Sequence, residues 1–205
     1  MKRFLLQIAI LALFSGAVFA QSNSEIKPDD DTNFVYETNG KGDQFIKFSL
    51  SMEFPLNFGN PFALRKVGNS LRLEDGNYLY LGGAAELGYY RFLNSWFALG
   101  GDFMVGYHAT IGNNSLTMVP VTLGALIQPT LGKFEFPIIV TAGVGFETCQ
   151  NKKYFPSFVF KTEAGAFYRV SESFSVGLTG NYIFIGEVND HGSFAQATVS
   201  ARYHF

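Results

Sequence analysis

Charged side chains stand at alternate positions inside stretches of this chain that are otherwise apolar. Glu86, Asp102, Glu163 and Arg169 are examples. A strand turns successive side chains to opposite faces, so residues two apart share a face. Acids and bases on a common face can form a buried ion network or line a narrow polar path for small solutes. The residues predicted to share this inward face are Lys47, Glu53, Glu86, Asp102, His108, Glu135, Glu147, Lys161, Glu163, Arg169, Arg202 and His204.

Histidine and serine are the other residue types with catalytic potential. Acyl transfer needs a serine and a histidine within hydrogen-bond reach. The chain offers His108 with Ser115, His191 near Ser193, and His204 at the carboxyl end. These positions are scattered, Cys149 is the only cysteine, and no His/Cys cluster has the spacing of metal ligands. We therefore predict no catalytic residue, no metal, no cofactor and no enzyme activity, with editing of lipid A as a remote alternative.

Apolar and polar residues alternate in eight segments of the chain. These segments are the predicted strands that must position the side chains named above. The carboxyl-terminal segment is the clearest example: residues 195–205 place Ala, Val, Tyr and Phe on one face and Gln, Thr, Ser, Arg and His on the other. Each segment is about as long as the roughly 9–11 residues that a tilted strand needs to cross a bilayer. The predicted strands are residues 44–54, 78–90, 96–109, 117–128, 134–147, 158–170, 174–185 and 195–205.

The amino end has the pattern of an export signal. Lys2 and Arg3 precede an apolar stretch that ends in Val18-Phe19-Ala20, with small residues where a signal peptidase cleaves. We predict a cleaved signal peptide at residues 1–20. Residues 21–43 are polar and acidic without periodicity, which predicts a mobile periplasmic tail. Residues 44–205 are then the barrel domain.

The composition favours an all-β, transmembrane, up-and-down antiparallel barrel. Aromatic residues make up 17% of the chain and charged residues only 16%, below the roughly 25% of soluble domains. A lipocalin-like barrel would present its polar face to water, yet these polar faces are rich in glycine and poor in charge. The linkers are short at 91–95, 129–133 and 171–173 and longer at 55–77, 148–157 and 186–193. This pattern predicts periplasmic termini, long extracellular loops and location in a bacterial outer membrane.

Three short motifs resemble those of known small outer-membrane barrels. They are Val119-Pro-Val-Thr-Leu-Gly124, Thr141-Ala-Gly-Val-Gly-Phe146 and the terminal Ala201-Arg-Tyr-His-Phe205. With them the chain resembles the eight-stranded families of the OmpA transmembrane domain, OmpX and OmpW. The resemblance implies that Tyr203 and Phe205 form an insertion signal read by the barrel-insertion machinery, after delivery by periplasmic chaperones.

Two functions stay open at this point. The first, which the sequence favours, is a narrow OmpW-like channel for small solutes through the lumen. The second is a non-conducting barrel with an OmpX-like role in adhesion or envelope integrity, acting through its extracellular loops. The long linker 55–77 mixes apolar and basic residues that suit a host surface ligand or the acidic sugars of outer-membrane lipids; its candidates are Phe58, Phe62, Arg65, Lys66 and Arg72. The chain has no basic run that would suit a nucleic acid.

Overall fold

Eight long strands form the domain. The computed structural model describes residues 39–58, 66–67, 70–71, 79–110, 115–149, 152–186 and 191–205. The long strands are β1 (Gln44–Phe58), β2 (Leu79–Phe92), β3 (Phe97–Thr110), β4 (Ser115–Ile127), β5 (Ile138–Cys149), β6 (Lys152–Ser171), β7 (Phe174–Gly186) and β8 (His191–His204).

The sheet closes on itself. Each strand pairs antiparallel with its neighbour in the chain, and β1 pairs with β8 from Phe45 opposite His204 to Phe58 opposite Gly192. Two side-chain hydrogen bonds of 2.7 Å, Ser49–Ser200 and Ser51–Thr198, cross this seam. The predicted fold, an eight-stranded antiparallel barrel, is therefore confirmed. Within the described residues, no helix has the length and apolar character needed to cross a membrane.

Alternation decides which side chains enter the lumen. On β1, Lys47, Ser49 and Glu53 are buried, whereas Phe48 and Leu50 between them point outward. Leu50 is 70% exposed and Lys47 0%. β1 thus turns its apolar side chains outward and its charged ones inward, the reverse of a strand in a soluble barrel.

The two ends of the barrel differ in their connections. We call the end with turns 93–96, 128–137 and 172–173 the turn end, and the opposite end the loop end. The chain finishes at the turn end, where the backbones of Gln44 and Phe205 exchange hydrogen bonds of 3.1 and 3.0 Å. Residues 1–38 lie outside the described part of the chain, so the signal peptide and most of the acidic tail stay predictions.

Strand boundaries differ from the predicted ones at several connections. β1 continues to Phe58, past the predicted end at residue 54, and β8 begins at His191 rather than at residue 195. The fifth strand begins at Ile138, not at residue 134, because residues 130–131 and 134–135 form a short ladder around Gly132, which has φ +57°. Phe134 and Glu135 also pair with β6 and so extend the wall. At the loop end, β5 and β6 continue to Cys149 and from Lys152, so most of the predicted linker 148–157 is strand.

Pairing irregularities concentrate in the loop-end half of the wall. Register shifts occur between Pro55 and Asn57 on β1, between Leu79 and Gly82 on β2, and between Tyr154 and Ser157 on β6. The shift on β2 is a bulge, and it reverses the local alternation. Alternation in the predicted strand 78–90 would place Leu79 outward with Leu81 and Tyr80 inward with Gly82. Instead, Leu79 packs against the buried cluster in the lumen and Tyr80 is exposed, so this part of the prediction was wrong.

Candidate functional site

The lumen is the candidate site, and it is filled by side chains. All twelve residues predicted to face inward are buried on the inner surface of the barrel. An interior of eight strands is about as wide as the side chains that fill it. The polar side chains form three networks at successive levels, which we call the central, turn-end and loop-end networks.

The central network joins two lysines to three carboxylates. Lys47 Nζ donates to Glu163 Oε2 at 2.7 Å and lies 2.9 Å from Glu86 Oε1. Lys161 Nζ donates to Glu86 Oε2 and, at 2.9 Å, to Asp102 Oδ2. Tyr90 on β2 donates its hydroxyl hydrogen to Asp102 at 3.0 Å. Because all five side chains are buried, these charges interact with little solvent between them.

The turn-end network is organised by two arginines around one carboxylate. Arg169 Nη1 donates to Glu135 Oε1 at 2.8 Å, and Arg202 Nη1 lies 3.4 Å from Glu135 Oε2. Arg202 also donates to Gln128 Oε1 at 2.7 Å. Its guanidinium carbon lies 3.5 Å from the ring centroid of Phe167 and 4.6 Å from that of Phe45. The arginine is thus held between two aromatic rings as well as by its hydrogen bonds.

A serine and a histidine meet at the turn end. Arg169 Nη1 lies 2.8 Å from His204 Nδ1 and 3.1 Å from His204 Nε2, and Ser175 Oγ lies 2.9 Å from His204 Nε2. Because an arginine only donates and here contacts both ring nitrogens, the imidazole is held by the guanidinium as well as by the serine.

The loop-end network runs across the barrel through side-chain hydrogen bonds. His108 Nε2 lies 3.1 Å from Glu53 Oε2, and Gln196 Nε2 donates to Glu53 Oε1 at 2.6 Å. Asn181 Nδ2 then donates to Gln196 Oε1 at 2.8 Å. Nearby on the inner wall, Ser157 Oγ donates to Glu147 Oε1 at 2.7 Å. Among the described residues, no group of three His, Cys, Asp or Glu side chains is placed to hold a metal ion.

Apolar side chains fill the lumen between and beyond these networks. One buried cluster occupies the loop-end half and a second closes the turn end, and neither was predicted. The prediction considered charge, although position parity alone places Phe45 with Lys47, Tyr90 with Glu86, and Phe167 with Arg169. The loop-end cluster is Ala84, Met104, Leu116, Met118, Val159, Ile183, Ile185 and Phe194. The turn-end cluster is Phe45, Tyr90, Phe92, Ala98, Leu126 and Ile139.

Inward glycines make room for the large side chains. A Cβ atom added at Gly88 would lie 2.5 Å from Asp102 Oδ1 and 3.2 Å from Lys47 Cε. One added at Gly106 would lie 2.7 Å from Met118 Cε and 2.8 Å from Glu53 Oε2. Real Cβ atoms do not come so close to their neighbours, so a side chain at either position would force the ends of these flexible side chains to move.

A small cavity borders the central network. It measures about 10 Å³, which corresponds to roughly one water molecule. Its lining combines charged groups of the central network with apolar groups of the loop-end cluster. The lining residues are Glu86, Asp102, Met104, Pro120, Thr122, Val159, Lys161 and Ile183.

The central and turn-end networks are electrically balanced together. Their cations are Lys47, Lys161, Arg169 and Arg202, and their carboxylates are Glu86, Asp102, Glu135 and Glu163. Four positive charges therefore meet four negative charges. This balance lets charges stay buried without a net charge that would have to be hydrated.

Two further predicted residues lie outside the lumen. Tyr203 and Phe205 point outward at the turn end, where their ring centroids are 6.2 Å apart. The backbone at Lys66–Val67 pairs with Ser70–Leu71. Phe62, Arg65, Arg72 and the side chains of Phe58 and Lys66 lie outside the described part of the structure.

Three comparisons relate this chain to known proteins. A protein-family model matches residues 24–203. A protein of Treponema pallidum (strain Nichols), itself named only as uncharacterized, is 26% identical over 190 residues, which cover 88% of this chain and 86% of that protein. Among solved structures, Neisserial surface protein A has a TM-score of 0.58 at 11% identity and covers 80% of this chain and 100% of its own. The attachment invasion locus protein Ail of Yersinia pestis has a TM-score of 0.50 at 13% identity, with 80% and 99% covered.

These similarities agree with the closed sheet and the inverted distribution of polar and apolar side chains. At 11% and 13% identity the two solved structures establish the fold, and the predicted resemblance to small eight-stranded outer-membrane barrels is thereby confirmed. The match over residues 24–203 covers well over half of the chain. The chain therefore belongs to the family that this model defines, and its fold is that of an integral outer-membrane β-barrel of eight strands.

Proposed function

We propose that this protein is a non-conducting outer-membrane barrel that acts at the membrane surface through its loop end. The observation that carries the proposal is the filled lumen. A continuous path would have to pass the central network, where Lys47 and Lys161 are ion-paired to three carboxylates, and then the aromatic closure at the turn end.

Energetics support a lumen that stays closed. Breaking a buried ion pair by removing one partner generally costs about 3–5 kcal/mol, because the other charge is left without compensation. A path wide enough for solutes requires several such pairs to separate together. The small cavity described beside the central network holds roughly one water molecule, which does not make a conduit.

In this proposal, the lengths of the connections and the terminal aromatic residues determine the orientation and the partners of the barrel. Both termini are periplasmic, and the longer connections face the cell exterior. Periplasmic chaperones deliver the chain, and the insertion machinery reads the outward-facing Tyr203 and Phe205. The connection between β1 and β2, with Phe62, Arg65 and Arg72 in its sequence, contacts a host surface ligand or the acidic sugars of neighbouring lipids.

Conductance in a planar bilayer tests the closed lumen. We expect no discrete current steps from the purified protein after heat-modifiable gel mobility has shown that it is folded. A Glu86→Gln variant and an Arg169→Gln variant should be equally silent. Discrete steps in the wild type whose size changes in Glu86→Gln would overturn the proposal, because the current would then pass the central network.

Adhesion tests the role of the loop end. Deletion of residues 59–74 should abolish binding of expressing cells to host cells or matrix while heat-modifiable mobility is kept. A triple substitution of Arg65, Lys66 and Arg72 by Gln keeps the length of the segment and should reduce binding if acidic sugars are the ligand. Equal binding by the wild type and the deletion variant would refute this part of the proposal.

A second candidate function is OmpW-like passage of small apolar solutes. Its specific support is the apolar loop-end half of the lumen, together with the cavity beside Pro120. The pairing of β3 with β4 is interrupted opposite this proline. Between the pairs Phe103–Val121 and Gly106–Met118, neither Met104 nor Val105 pairs with β4. Overpacking the cavity with Val159→Phe should then slow uptake of a small apolar solute, whereas outward Leu178→Phe should not. Equal uptake by both variants would remove this candidate.

A further inference from the structure

His108 is placed between two hydrogen-bond acceptors. Its Nδ1 lies 3.1 Å from the backbone carbonyl oxygen of Tyr80, at the bulge of β2. Its Nε2 lies 3.1 Å from the Glu53 carboxylate on β1. His108 and Glu53 are both 0% exposed, so water does not substitute for either contact. Each ring nitrogen therefore faces a group that accepts hydrogen bonds when Glu53 is ionised.

A neutral histidine cannot satisfy this arrangement by itself. With its hydrogen on Nδ1 it donates to Tyr80, and its Nε2 lone pair then faces an ionised carboxylate. With its hydrogen on Nε2 it satisfies Glu53, and Nδ1 then faces the carbonyl oxygen. One additional proton, bound either to the imidazole or to Glu53, supplies the missing hydrogen, because each of the two contacts of His108 then has a hydrogen-bond donor.

The surroundings fix the other hydrogen bonds of the pair. Gln196 donates to the second oxygen of Glu53, and Asn181 donates to Gln196, so neither amide can turn to relieve His108. From β8, the Phe194 ring lies 4.6 Å from the imidazole, between ring centroids. From β4, the neighbour is Leu116, and on β2 a Cβ at Gly82 would overlap the imidazole.

Few charged groups surround the pair. Glu53 is the carboxylate that contacts His108. The other titratable group described on the loop-end inner wall is Glu147 of β5, whose contact is with Ser157. No lysine or arginine of the central network is described in contact with His108 or Glu53. The proton shared by His108 and Glu53 is therefore the charge that decides whether these contacts hold.

We propose that Glu53 and His108 form a binding site for one proton, and that this proton holds β1, β3 and the bulge of β2 together across the loop-end lumen. When the site releases its proton to water, one of the two contacts of His108 loses its donor and the loop-end half of the barrel loosens. Both contacts of His108 are therefore present at lower pH, and one of them is lost as pH rises. It does not depend on whether the lumen conducts.

A Glu53→Gln variant tests the proposal sharply. The amide oxygen can still accept from Gln196, while its NH₂ donates to Nε2 of a neutral His108. The additional proton is then no longer needed. The measurement is amide hydrogen exchange of residues 79–82 and 106–108 in the purified protein in detergent, corrected for intrinsic exchange, between about pH 5 and about pH 9.

We expect exchange in the wild type to become faster by about tenfold or more as pH rises, and exchange in Glu53→Gln to stay constant. Tenfold corresponds to about 1.4 kcal/mol, the size of one buried hydrogen bond. His108→Gln, whose amide donates to Glu53 without titrating, should also be insensitive to pH and serves if Glu53→Gln does not fold. Exposed Glu172→Gln is the matched control and should behave as the wild type. The same pH dependence in the wild type and in either site variant would overturn the proposal.

Discussion

Lys161 provides the sharpest test of how dry the lumen is. Its ammonium group contacts Glu86, lies 2.9 Å from Asp102 and lies 3.4 Å from Glu163. Lys161→Met removes the charge and keeps a chain of similar length. Three carboxylates then share Lys47 alone, so the central network changes from two positive and three negative charges to one and three.

The expected loss of stability follows from burial. Lys161 and its three partners are nearly inaccessible to water, so the loss should fall in the range of about 3–5 kcal/mol for a broken buried pair. If the lumen were a hydrated channel, the same pairs would behave as exposed ones, worth about 0–1 kcal/mol. A dry lumen and a hydrated lumen thus predict losses of unfolding free energy for Lys161→Met that differ several-fold.

The assay is urea unfolding of the protein from lipid vesicles. Trp96 is the only tryptophan and is half exposed at the turn end, so its fluorescence reports unfolding directly. Lys161→Met/Glu86→Gln restores the original net charge of the network and should recover part of the loss, with a coupling energy of about 0.5–3 kcal/mol. Exposed Lys41→Met is the control and should change stability by less than about 0.5 kcal/mol. A Lys161→Met loss no larger than this control would refute the argument for a dry, closed lumen.

Three further predictions follow from the walls of the barrel. Gly177→Ala on β7 places a Cβ 2.5 Å from Phe167 Cγ and should lower the free energy of unfolding in vesicles by about 1–3 kcal/mol. Gly180→Ala on the same strand points outward, where its Cβ meets nothing within 4 Å, and should leave stability unchanged. Equal losses in the two variants would contradict the packing argument. Leu50→Arg, at a side chain that is 70% exposed, should lower stability in vesicles by about 2–4 kcal/mol because it faces lipid, and an unchanged stability would mean that this face meets water. Phe205→Ser should reduce the amount of assembled barrel in cells without changing refolding into detergent, and normal assembly in cells would remove the proposed insertion signal.

The sequence predicted the faces of the strands well because alternation has a period of two and needs no tertiary information. Every charged residue expected in the lumen is buried there, Lys47 and Arg202 among them. Pairings between those charges could not be predicted, since they depend on the register around the whole barrel. Lys47, for example, meets Glu163 three strands away across the lumen as well as Glu86 on the neighbouring strand.

The alternation of apolar and polar residues also could not predict local departures from ideal strand geometry. The bulge between Leu79 and Gly82 inserts a residue and turns Tyr80 outward. The turn around Gly132 shortens the fifth strand by pairing residues 130–131 with 134–135. The buried aromatic side chains were missed for a different reason. They carry no charge that would distinguish them from the aromatic side chains facing lipid, although Phe45 and Phe167 hold Arg202 in place.

The charge pairs inside the barrel have a consequence for how the chain assembles. Lys47 of β1 meets Glu163 of β6, and Lys161 of β6 meets Glu86 of β2 and Asp102 of β3. In a sheet whose first and last strands have not met, these partners lie on distant strands of an open surface. Joining β1 to β8 is therefore the step that brings them together. A sheet that inserted into lipid before this seam closed would carry these charges without their partners, so electrostatics favour completion of the cylinder before its interior loses contact with water.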